Sequence, residues 1–180
     1  MIRRKSLLQL AVTATVGKTY VPYLRRRLRQ AHAILRSPLQ ELSLALVGDR
    51  QMADLHQQFL SLPGPTDVLT FPLDTARNGC AIAGEVVICV PEARRQSKIH
   101  NVPIRDELLL YALHGLLHLS GFDDRTDRDY QKMHAAEDAI LQKLGVGPIF
   151  NRVRTPFSGR TGPQRAESSC AAFLPHGGCA

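Results

Sequence analysis

The sequence predicts a single α+β domain. Its mixed β-sheet of about four strands packs with about five helices, and one buried helix carries a pair of histidines. Three observations carry this reading. The 180 residues suit one domain with room for a tail. Strand-like and helix-like hydrophobic periods alternate along residues 7–145. One long segment, residues 104–121, is apolar nearly all round, which fits a central helix and not a surface one.

The first apolar run, Leu7 to Val16, reads as a strand. The segment Val21 to Ser37 follows as a helix, with Leu24, Leu28, Ala31 and Leu35 on one buried stripe. Pro22 suits its first turn and Pro38 ends it. Leu42 to Gly48 is a second strand, and its nearly continuous apolar character predicts burial on both faces. Asp49 caps a helix running to about Leu60, and the neutral loop SLPGP comes next. Asp67 to Asp74 is a strand, a turn at Arg77-Asn78-Gly79 follows, and Ala81 to Val90 is another strand ended by Pro91. Pro91 opens a short helix to Ile99. The buried helix then runs from Ile104 and closes at Gly121, a residue suited to the left-handed conformation that ends helices. A final amphipathic helix extends to about Gly145, capped by Thr126 or Asp127. The domain therefore spans residues 1–147. Residues 148–180, rich in Arg, Ser, Gly and Pro without periodicity, read as a basic disordered tail.

The net charge of +7 is unevenly spread. Residues 1–40 hold nine Lys/Arg and no acid, residues 41–150 hold ten against fifteen acids, and the last thirty hold four Arg and one Glu. Arg25, Arg29, His32 and Arg36 line up on one stripe of the first helix. Such a stripe can be a solvated helix face, or it can follow the phosphates of a nucleic acid. The spacing of Cys80, Cys89, Cys170 and Cys179 matches no zinc ribbon, so reduced thiols in a reducing compartment are expected. No run approaches the ~18–20 apolar residues that span a bilayer. The opening MIRRKSLLQLAVTATVG mimics a signal peptide, but Gly17 and Lys18 interrupt it and no small-x-small site follows. A cytoplasmic protein without a membrane partner is expected.

The chemistry lies in HGLLHLSGFDD, residues 114–124. His114 and His118 are four apart, so on a helix both imidazoles leave one face and can share a metal. Aliphatic residues surround them, where a charged imidazolium is costly and a neutral metal-bound ring is satisfied. Gly121 lets the chain reverse, and Asp124 can return a carboxylate toward the two rings. Two His and one carboxylate leave a fourth position open, the pattern of catalytic and not structural zinc. An isolated HxxxH is weak, and Asp124 alone reads as a turn residue. The combination predicts one zinc per chain, held by His114, His118 and Asp124. Glu107 and Tyr111, seven and three residues before His114, share its stripe and can orient a ligand from behind. A solvated Glu near a helix start explains Glu107 equally well. No organic cofactor or small-molecule ligand is expected.

These residues resemble the HGxLHLxGxDH signature of the YbeY family, metal-dependent single-strand endoribonucleases and ribosome maturation factors. The likeness covers most of residues 5–145 in element order. Pro65 to Pro72, PTDVLTFP, is similar to the family's PT(D/N)VLSFP segment, Gly84 to Ile88 to its GD(I/V)-type strand, and Met133 and Glu137 to the MxxxE after the metal motif. The resemblance implies an α+β fold, one zinc, and a role in small-subunit ribosomal RNA 3′-end processing and ribosome quality control. Its implied partners are ribosomal RNA and the small ribosomal subunit. It also implies a basic groove around the metal, which gives Arg25, Arg29 and Arg36 a purpose. Asp124 stands where the family usually has a third His, an oxygen donor that lowers the net charge of a zinc site. Leu60 stands where the family commonly has an Arg.

Three functions follow from these residues. The first is a zinc-dependent endoribonuclease. The second, a non-catalytic ribosome-assembly factor with a structural or vestigial metal, is favoured by Asp124 and Leu60. The third, a zinc peptidase, lacks the general-base Glu that should follow the first His, since Gly115 stands there.

Overall fold

The computed structural model describes residues 7–77 and 80–149. The turn residues Asn78 and Gly79, and the expected tail from residue 150 onward, lie outside these. The strands are β1 (Gln9–Ala14), β2 (Glu41–Val47), β3 (Val68–Thr75) and β4 (Ala81–Cys89), in sheet order β1-β2-β4-β3. β1, β2 and β4 are parallel, and β3 pairs antiparallel with β4 on the sheet's edge. Pro72 is tolerated in β3 because an edge strand does not need every N–H for pairing. The helices are α1 (Val21–Leu35), α2 (Asp49–Leu60), α3 (Val90–Ile99), α4 (Ile104–Leu119) and α5 (Asp127–Lys143). The α+β class with a mixed sheet is as the sequence predicts.

Differences lie at element ends. The first strand is shorter than its apolar run, because Gly17 turns left-handed at φ 70° and a 3-10 turn, Lys18–Tyr20, leads into α1. Gly48, and not Asp49, is the cap of α2. The Asp49 carboxylate instead accepts from Arg95 (2.7 Å) and from the Cys89 thiol (3.3 Å), tying α2 to α3. Among the described residues, Cys89 is a buried free thiol.

Two apolar clusters flank the sheet. On one face Leu42, Leu44 and Leu46 of β2 meet α1, α4 and α5. On the other, Val47 and Val87 meet Met52 of α2. That is why β2 reads as apolar on both sides. α4 is apolar all round because β3, β4, α1, α3 and α5 all pack against it. It lies very close to the sheet. A β-carbon on Gly115 would stand 2.6 and 2.8 Å from the methyls of Val86, and one on Gly84 would stand 2.6 Å from Leu119. These two glycines set the depth at which the histidine-bearing helix is seated. No helix among the described residues is long and apolar enough to cross a membrane.

Candidate metal centre

α4 ends in a Schellman turn, and that turn builds the site. Gly121 N–H donates to the His118 carbonyl and Phe122 N–H to the Leu117 carbonyl, each at 3.0 Å, with Gly121 at φ 93°. The chain thereby folds back over the last turn of α4 and carries Asp124 to the two imidazoles. One Asp124 carboxylate oxygen lies 3.8 Å from Nε2 of His114 and 3.8 Å from Nε2 of His118. The two Nε2 atoms are 3.0 Å apart. One ligand atom from each of the three residues lies within 4.8 Å of the others.

Each imidazole is oriented from its other nitrogen. His118 Nδ1 faces the Phe122 carbonyl at 3.2 Å, and a carbonyl can only accept, so Nδ1 carries the proton. His114 Nδ1 likewise donates to Glu137 of α5 at 2.8 Å. Both Nε2 atoms therefore direct lone pairs at the same point, beside a carboxylate oxygen. Two lone pairs at 3.0 Å repel unless a cation or a proton lies between them. Zinc–nitrogen bonds of ~2.0–2.1 Å at a tetrahedral angle place two ligand nitrogens about 3.3 Å apart. The residues present fit a divalent metal with His, His and Asp donors, and each ring has the outer partner that metal-bound histidines normally have.

Electrostatics distinguish the two rings in the absence of a metal. Burial, and then the charge of His114, push His118 down to about 4, so this ring is neutral at ordinary pH. Burial also opposes charge on His114, but the Glu137 hydrogen bond and the charges of Glu137, Asp124 and Asp67 outweigh it and raise its pKa. Burial disfavours the Glu137 carboxylate, yet hydrogen bonds from His114 and His134 hold its pKa below the usual value. The site opens to solvent past His114, whose side chain is 16% exposed against 2% for His118.

The other expected residues lie elsewhere. Glu107 does not face His114. Its buried carboxylate accepts from His100 Nδ1 at 3.0 and 3.1 Å and from the Tyr111 hydroxyl. Arg25 and Arg29 are exposed on α1, and Arg36 is exposed just past its end, where the chain turns left-handed at φ 55°. On the same face of the sheet, α1 packs against β1 at one edge and α4 covers β3 and β4 at the other. Ser37, next to Arg36, shares a 2.7 Å hydrogen bond with Ser120, which is about 200° round the helix from His118 at 3.6 residues per turn. Glu137, His134 and the Phe122 carbonyl are the supporting groups that residue patterns did not assign. Glu137 falls in the MxxxE pattern quoted above, and Tyr130, His134 and Glu137 are spaced four and three apart on a single α5 stripe.

A family model for endoribonuclease YbeY matches residues 12–145. This chain belongs to the YbeY family. An endoribonuclease YbeY of Thermobifida fusca is 40% identical over 111 residues, covering 58% of this chain and 72% of that one. The Acidothermus cellulolyticus protein of the same name is 38% identical over 115 residues, covering 58% of this chain and 70% of the relative. A solution structure of a Thermotoga maritima protein has the same fold, with a TM-score of 0.54 at 23% identity, covering 85% of this chain and all of that one. The matched segment includes the glycines that seat α4 and the whole of the HGLLHLSGFDD turn. Leu60, where a YbeY protein commonly has Arg, is half-buried with Phe71 in the apolar cluster beneath α2.

Proposed function

We propose that this chain is a metal-dependent endoribonuclease that cleaves single-stranded ribosomal RNA in 3′-end maturation of the small subunit and in ribosome quality control. The ion is zinc, one per chain, held by His114, His118 and Asp124. The observation that carries this reading is the convergence of two outward-supported Nε2 atoms and one carboxylate oxygen on a single point. That the substrate is RNA is supported by the relatives, which are endoribonucleases by name. When bound, a metal on this donor set supplies Lewis acidity toward a phosphoryl oxygen and lowers the pKa of the attacking water.

The chain's own groups prepare that chemistry. Glu137 and the Phe122 carbonyl hold the proton of each ring on Nδ1 and keep both Nε2 atoms bare. Packing of α4 excludes water from the His118 side, so a phosphodiester approaches past His114. Asp124 leaves the metal with one positive charge fewer than a third neutral imidazole would, which weakens the acidification of water. Gly115 removes the peptidase reading on structural grounds too. Its missing side chain would point into Val86 and Thr70 of the sheet and not toward the metal. The exposed Arg25 and Arg29 of α1, with Arg36 just past its end, contact the phosphates of the RNA.

The deciding experiment compares the wild type with Asp124→Ala for bound metal, by elemental analysis, and for cleavage of single-stranded ribosomal RNA. One equivalent of zinc and cleavage in the wild type, both lost in the variant, support the enzyme. Stoichiometric metal with no cleavage in the wild type favours the non-catalytic assembly factor, a reading that Leu60 in its apolar cluster supports. Protein that never binds metal overturns both.

A further inference from the structure

His118 and His114 are supported in different ways. The outer nitrogen of His118 meets a backbone carbonyl, Phe122, which the Schellman turn fixes in place. The outer nitrogen of His114 meets the tip of a glutamate, a side chain with several rotatable bonds. A flexible support holds a metal ligand only if it is itself held. Glu137 is held. Its second oxygen accepts a hydrogen bond from Nδ1 of His134 at 2.5 Å, while the first accepts from His114 at 2.8 Å. The carboxylate is fully buried between the two imidazoles.

We propose that His134 is a positioning residue of the metal centre, acting through Glu137 to fix the ring of His114 with Nε2 toward the metal. This rests on His114, His118 and Asp124 being the metal ligands. His134 has what the task requires. It is one turn before Glu137 on α5, and its ring packs edge-on against Tyr130 at 4.2 Å between centroids and nearly parallel to His114 at 6.3 Å. The three α5 residues form a rail along α4 that ends at the metal ligand. An apolar side chain of similar size would fill the space equally well, so packing alone does not call for an imidazole there. A donor is needed because the inner oxygen of a buried carboxylate otherwise goes unmatched, and the carboxylate must then turn or draw in water. Either response frees the His114 ring.

The test uses the full chain in three forms, His134→Phe, His134→Leu and His134→Asn. The asparagine amide keeps an N–H donor near the place of Nδ1, whereas Phe and Leu keep only bulk. Cobalt(II) and zinc affinities are measured by chelator competition, with the visible absorption of the cobalt form and the thermal unfolding of the metal-free form. The expected result is one bound metal in every form, an affinity ~10–100-fold weaker and an altered cobalt spectrum in the Phe and Leu forms, and recovery in the Asn form. Unchanged affinity and spectrum in His134→Phe overturn the proposal, as does an Asn form no better than the Phe form. If both donor-less forms fail to fold without metal while Asn folds, His134 serves the fold and the proposal fails. His118→Ala separates the two levels. Metal retained in that variant defeats the ligand assignment itself, whereas metal lost there but unaffected by His134 changes defeats only this inference.

Discussion

Gly115 lies between the two metal-site histidines, and a β-carbon there would stand 2.6 Å from a methyl of Val86 and 3.0 Å from the Thr70 hydroxyl. The close approach of α4 to β3 and β4 depends on this missing side chain together with that of Gly84. Gly115→Ala gains helix propensity but must push α4 off the sheet, and overpacking of this kind costs about 1–3 kcal/mol. Thermal unfolding of the metal-free protein should show that loss. A variant as stable as the wild type would mean that Val86 can move aside.

Asp124 is the carboxylate that the chain reversal delivers to the two imidazoles, and its exchange changes charge without changing the turn. Asp124→Ala should lower zinc affinity by more than the ~10–100-fold typical of outer partners. Asp124→His should retain one equivalent of zinc and acidify the bound water more strongly, because the site gains one unit of positive charge. A pH–rate profile shifted toward lower pH in Asp124→His is the expected reading.

Glu107 gives a pH prediction away from the metal. Burial raises its pKa above the usual 4.5, against the pull of His100 and Tyr111. The folded protein therefore keeps this proton to a higher pH than the unfolded chain does. Stability drawn from it is present at low pH and is lost as the pH rises through the folded value. Glu107→Gln keeps one acceptor oxygen and loses the titrating group, so its unfolding free energy should lack that downward slope. Glu107→Ala should instead cost about 1–3 kcal/mol, because buried donors lose their acceptor. Denaturant unfolding from pH 4 to 8, the scale on which ~4.3 is an ordinary Glu value, separates the three.

Thr126 caps α5 by accepting the Asp129 N–H at 3.2 Å. Thr126→Ala should cost about 1 kcal/mol of stability. Since α5 carries Glu137 and His134, it should also weaken zinc binding if the first turn of α5 frays as far as Tyr130. Unchanged affinity with lowered stability would confine the effect to the first turn.

The turn at Gly121 and the histidine pair were legible because each depends on neighbours in sequence. Spacing of four on a helix puts His114 and His118 on one face whatever surrounds them, and a glycine after the last apolar turn marks the reversal. Thr126 was legible for the same reason. Glu107 was misleading because a shared stripe says only that two residues look the same way, and His100, in the α3–α4 connection, reaches the carboxylate first. The arginine stripe reads as a phosphate track in one dimension, but its bearing on the metal depends on which flank of α4 receives α1.

Sequence alone therefore determined the order of elements, the buried character of α4, the convergence of His114, His118 and Asp124 and the family signature, since these are written in periods and spacings along the chain. Only the tertiary structure decided which groups stand behind the ligands. Glu137 meets His114 from 23 residues away because α5 packs back on α4, and His134 joins it because it lies one turn earlier on the same face. Such contacts depend on the direction from which one helix approaches another, and the packing of both against the sheet fixes that direction.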